Sequence, residues 1–365
     1  MLNDDVMDDM ENTVVDHDLI KGPSQVQTST NVVIIPGKPE EETTNSEIIK
    51  QLSQAEIQFQ VIDKHTTKLV DMQAVYDEIS TEGAISKSDV AYALEEFPNL
   101  LTGRLTLEQF SQSRSKVNYD KLISTMRVNI ATEESLLFEN SKTFFKDPLN
   151  AALLAMGIVL QDHLPVVKNT GNDIFINAKD ILSKLEGSKN TIVKYKEEFK
   201  SFLDIPIREL EPSMFINNSI DVDAFNKSIA NIETAYDCRA IKVCIAAVVY
   251  DKDLGDVFAS ENMRNETIQD ITLKDLLSFY SNDKFPELLA SLESVIKEAI
   301  TKLEFIKNSS NVDTCTPAEL HNYLVQNNVA FMNAIRNCMT IASGVFSLGQ
   351  LNFNTSILFN ELKKA

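Results

Sequence analysis

Between Ser46 and Ile79 the chain runs for more than thirty residues without glycine or proline. Its apolar positions, Leu52, Ala55, Phe59, Ile62, Thr66, Leu69, Met72, Tyr76 and Ile79, recur by threes and fours. That spacing places one stripe on one side of a helix at the period of helix-on-helix packing. At about 1.5 Å per residue such a helix approaches 50 Å in length, a span suited to extended bundles. A second seam, Leu289, Leu292, Val295, Ala299, Leu303 and Ile306, follows Pro286 at the same heptad spacing. The capping-box spacings of Thr272 with Asp275 and of Thr316 with Glu319 mark two further helix starts. Pro317 at the first helical position strengthens the second, which opens a helix expected to reach about Ala342.

Elsewhere the pattern predicts helices from Asn118 to Lys146, near 149–163 and 172–203 with breaks at Pro165 and Gly187, and a single long helix over 221–250. A short helix over 86–96 and a turn-rich stretch over 99–118 lie between the first two long ones. Strand-like alternation is rare. The expected fold is all-α: an elongated multi-helix bundle with long amphipathic helices and a disordered or extended acidic N-terminal arm. The expected organisation is an arm over 1–46, an N-terminal helical region over 47–210 whose long helix spans 47–80, and a C-terminal bundle over 211–365. The border falls at Ile205-Pro206 and Glu211-Pro212.

Charge locates the arm. The formal charge of the chain is −20, and residues 1–46 hold ten acidic and two basic side chains. Few apolar residues are present there to offset the entropy of ordering. One β-prone island, Val32, Val33, Ile34 and Ile35, and the acidic run Glu40, Glu41 and Glu42 form the candidate partner-binding residues. The island suits addition of a strand to a partner's sheet edge; packing on the protein's own body explains it equally well. Clustered Lys and Arg of the kind that neutralise phosphates are missing, so neither a nucleic-acid backbone nor an anionic membrane is an expected partner. The apolar runs 151–160 and 243–250 fall short of the roughly 20 residues that span a bilayer, and the first twenty residues lack a basic n-region. The chain is therefore expected to be neither secreted nor transmembrane.

Chemistry-bearing motifs are absent from the sequence. The four cysteines, Cys238, Cys244, Cys315 and Cys338, lack CxxC spacing and sit among apolar neighbours, reading as small buried thiols of a reducing compartment. His17, His65, His163 and His321 show no ligand spacing; His65 reads as a solvated face residue, and His163 as a cation at a helix end. The adjacent carboxylates Glu95-Glu96, Glu133-Glu134 and Glu197-Glu198 diverge by about 100° on a helix and read as solvated faces. The run Asp251 to Asp256 misses the calcium-loop pattern, which needs Gly at position six and Glu at twelve. No catalytic, metal-ligating or cofactor-binding residue is assigned, and no cofactor is expected. The chain is read as a non-enzyme.

The segment 82–119, with EGAISKSDVAYALEE, then PNLLT, then LTLEQFSQSRSKVNY, resembles structural and internal virion proteins of large tailed bacteriophages. In those relatives a short helix with a Leu-Glu-Glu ending leads through a proline into a loop and a Ser-rich stretch. The resemblance implies a component of the particle, internal to the head or part of its structure. Its partners would be other virion or assembly proteins and copies of itself, and its location the virion or the host cytoplasm. A different class of function fits the arm: an intracellular adaptor or regulator that binds a basic partner through its acidic N-terminus.

Overall fold

The computed structural model describes residues 39–82, 116–187, 203–215, 219–250, 253–255 and 271–364, all within one packed unit. They form an all-α multi-helix bundle in chain order. Helix α1 spans Pro39–Glu82, α2 Lys116–Lys146, α3 Pro148–Ile158 and α4 Leu164–Gly187; a π-turn at Val159–His163 joins the last two. Short 3-10 turns lead to α5 (Val222–Tyr236) and α6 (Arg239–Tyr250). Helices α7 (Leu273–Ser281), α8 (Lys284–Ser309) and α9 (Pro317–Lys364) complete the chain. Among the described residues the one β feature is an isolated bridge between Pro206 and Thr272.

Both seams pack as their spacing requires. Leu52, Ala55, Phe59, Ile62, Thr66, Leu69 and Met72 are buried along α1, as are Leu289, Leu292, Ala299, Leu303 and Ile306 along α8. Both predicted capping boxes form. Thr272 and Asp275 exchange side-chain and backbone bonds at the start of α7; Thr316 and Glu319 do the same before α9. Helix α1 lies against α2, α3 and α9, while α9 also packs on α4, α5, α6 and α8. Helices from either side of Pro212 therefore share one core.

Four expectations about helix ends need correction. First, α1 is 44 residues long and starts at Pro39, inside the stretch assigned to the arm. Proline suits the first helical position, and three glutamates in the first turn favour the positive end of the macrodipole. Second, the long helix over 221–250 is two helices, broken at Asp237 and Cys238. The Asp237 N–H closes back on Ala235 and Glu233, and Arg239 begins a new axis. Third, α9 runs to Lys364, far past Ala342. Its last half contains Gly344, Gly349, Asn352, Asn354 and Thr355, poor helix formers that packing against neighbouring helices holds in a helix. The short helix over 86–96 and most of the segment 82–119 lie outside the described residues.

Fourth, Pro165 does not break its helix. Buried positions step by three or four along α3 and α4, except for the five-residue step from Val159 to Leu164. The π-turn absorbs that extra residue: the Leu164 N–H bonds the Val159 carbonyl, five residues back. The widened turn keeps the core face in phase and makes room for the proline ring, which an ordinary ladder would crowd. The helical run Lys121–Lys184 contains an 18-residue window of mean hydropathy 1.3, apolar enough by composition to cross a membrane, with a third of it buried in the bundle.

Deleting exposed Gln161 together with Pro165→Ala is expected to give a regular helix with the same buried face, melting within a few degrees of the parent. Deleting exposed Asn172 instead rotates Ile174, Ala178 and Ile181 by about 100° from the core and should abolish the cooperative transition. Thermal melts followed by circular dichroism distinguish the two.

Candidate functional site

The sequence-derived candidates are not gathered into a site. Val32, Val33, Ile34 and Ile35 lie outside the described residues, while Glu40, Glu41 and Glu42 occupy the first turn of α1. The most connected polar cluster sits instead where α1, α2 and α9 meet, around Glu133. This residue falls on the core stripe of α2, in step with Met126, Ile130, Leu137 and Phe144, and its side chain is only 7% exposed. His65 on α1 lies 2.5 Å from one carboxylate oxygen through Nδ1, and Lys68, one turn along α1, donates to the other at 3.1 Å.

Two expectations are thereby overturned. His65 is no solvated face residue, and Glu133 is no surface carboxylate. Position alone misled for the first, because its partner is 68 residues away. The second was legible: the spacing Ile130, Glu133, Leu137 places the carboxylate on the buried stripe. Burial by itself raises the Glu133 pKa, but the hydrogen bonds from His65 and Lys68 outweigh it and hold the carboxyl below its ordinary 4.5. A histidine on a carboxylate is the orienting half of a catalytic triad. Among the described residues, however, no hydroxyl or thiol bonds the other ring nitrogen of His65. The carboxylate's partners are an imidazole and an ammonium of α1, an arrangement that ties helices together.

Further ties run along the same rib. Asp63 accepts from Asn328 at 2.6 Å, and Glu56 pairs with Arg336 at 2.8 Å, fixing α1 antiparallel to the first half of α9. Arg127 donates to the Tyr76 hydroxyl at 2.6 Å. A second polar junction lies deeper. Asn352 on α9 is fully buried, accepts from the Tyr280 hydroxyl at 2.9 Å and donates to the Val167 carbonyl of α4 at 3.1 Å. Helix α4 comes close here because of Gly171, where a Cβ would stand 2.8 Å from Leu289 and 3.2 Å from the Asn352 amide. At the end of α9, buried Glu361 accepts the Asp221 N–H at 2.9 Å, anchoring the start of α5.

The remaining chemistry-bearing groups are dispersed through the bundle. Burial pushes the Cys244 and Cys338 thiols up to about 12, so they stay protonated. Cys238 and Cys315 are half-buried rather than buried, and all four cysteines are unpaired. His163 is not at a helix end: it lies in the π-turn with its ring 4.8 Å from that of Phe346. His321 is half-buried near the start of α9, and burial lowers its pKa. Exposed Glu293 links α4 to α8, and its bonds from Lys168 and then Lys297 hold it at about 2. Among the described residues no three His, Cys, Asp or Glu side chains are placed to hold a metal ion. Comparison with known proteins finds no matching family model, no matching curated protein and no matching solved structure.

Folding lowers the Glu133 pKa, so its contribution to stability is complete above pH 4.5 and lost as pH falls through the depressed folded value. Glu133→Gln should cost about 1–3 kcal/mol at neutral pH, since a neutral amide no longer pairs with the Lys68 ammonium and cannot accept hydrogen bonds through both of its terminal atoms. Urea unfolding at a series of pH values should show the variant and the parent converging only as pH falls below 4.5 and through the depressed folded value.

Proposed function

We propose that this chain is a non-enzymatic structural or assembly protein, and that its setting is the particle of a large tailed bacteriophage. The observation that supports the structural reading best is how the buried polar groups are used. Glu133, Asn352 and Glu361 each join one helix to another, and their partners are helix ties rather than an opening for substrate. Buried amides and ion pairs of this kind fix helix register at some expense of stability. A scaffold part gains from that trade. Long helices at heptad spacing also suit a rod-like building element more than a catalytic cleft.

The phage setting rests on the resemblance of segment 82–119 and on nothing else. Partners are then other virion or assembly proteins. The concentration of acidic residues in the first 46 positions favours a basic protein surface as the contact for the N-terminal region.

Quantitative mass spectrometry of purified particles from a phage encoding this chain tests the proposal. Its peptides are expected throughout the helical body and at a stoichiometry of many copies per particle. Recovery only from the infected-cell lysate, with none in the particle, would overturn it.

A further inference from the structure

Between residues 320 and 360, α9 carries a single charged side chain, Arg336. Helix α8, only 26 residues long, carries eight. The second half of α9 explains its lack of charge by burial, since over 341–360 Phe353 and Asn360 alone are exposed. The first half does not. Its outer face is exposed at Asn322, Val325, Gln326, Val329, Ala330 and Asn333, with Val329 68% and Val325 42% exposed. An uncharged face of Val, Ala, Asn and Gln on so acidic a chain is a surface suited to being covered.

We infer that this face is a homotypic contact, on which the same half of α9 from a second copy packs antiparallel. Charge selects the occupant. Two chains of formal charge −20 repel one another over most approaches, and an uncharged patch on each lets them close without bringing like charges together. This stretch is neutral and bracketed by opposite charges, Glu319 before it and Arg336 after it. Both are exposed.

The order of the side chains matches a two-fold axis. With the axis midway between Asn327 and Asn328, Glu319 faces the partner's Arg336, and Asn322 faces the partner's Asn333. Val325 then meets the partner's Ala330, and Gln326 meets the partner's Val329. Every pairing occurs twice, as an isologous interface demands. Amide side chains both donate and accept, so the Asn pair at each end is self-complementary. Glu319 uses Oε2 for its capping box and Arg336 uses Nε for Glu56; a guanidinium has five N–H donors, enough for a further carboxylate.

The stretch from Glu319 to Arg336 is about 26 Å long, and one helix face of that length covers less than the roughly 800 Å² per partner of a standard interface. The contact is therefore weak between isolated chains and effective where many copies are held together. This names a partner for the assembly role proposed above and rests on that reading only for its biological setting.

Sedimentation velocity of the full-length chain tests it. A concentration-dependent shift from monomer to dimer is expected between about 10 μM and 0.5 mM. Val329→Glu, which puts two unpaired carboxylates into the contact, should weaken the dimer at least about tenfold. Leu154→Glu, a change at an equally exposed apolar residue on α3, should leave it unchanged. Circular dichroism confirms that both variants fold. A monomer at every concentration overturns the inference, as does a dimer that Val329→Glu leaves intact or that Leu154→Glu weakens as much. A chain that is monomeric in solution yet incorporated into particles would remove this contact and leave the assembly reading standing.

Discussion

The desolvation of α9 is the constraint around which the molecule is arranged. A helix whose last half holds no charge until Glu361 is stable only if other helices take the place of water around it. Helices α4, α5, α6 and α8 do so. The cost of burying amides in that environment is offset only where each finds a partner. Asn352 meets this condition with one bond to Tyr280 and one to the α4 backbone. Because those partners come from two different helices, the same bonds that satisfy Asn352 also fix where α9 sits along α4 and α7. Gly171 is the steric counterpart, removing the Cβ that would hold α4 away.

The first half of α9 is secured differently. There the opposing surface is α1, tied to it by Glu56 with Arg336 and Asp63 with Asn328, while Glu133 of α2 grips the same α1 through His65 and Lys68. Exposed pairs of this kind contribute little individually. The Glu133 cluster differs because its carboxylate is nearly buried, so loss of His65 or Lys68 would leave one of its oxygens with neither water nor a partner. The bundle thus has a dry, amide-keyed end and a wetter, charge-keyed end, with one helix running through both.

Local signals were legible. The capping boxes of α7 and α9 depend on side chains three residues apart, and both form as read. The core stripes of α1 and α8 follow from spacing alone. What misled were features whose cause lies far along the chain. His65 looked exposed because Glu133 is distant in sequence, and α9 looked finished near Ala342 because intrinsic propensity falls there. Pro165 looked like a break because the π-turn that accommodates it shows only as a five-residue step in the buried stripe.

By itself the sequence determined the helical class, the buried stripes of α1 and α8, several helix starts and the absence of a recognisable catalytic motif. These follow from periodicity and from interactions within one turn, which need no distant partner. Tertiary structure alone decided how far α9 extends, which carboxylate becomes a helix tie, and which uncharged stretch is enclosed and which is left open. Those outcomes depend on exclusion of water by segments remote in the chain, and the free energy of a buried amide or carboxylate has no value until its neighbours are in place.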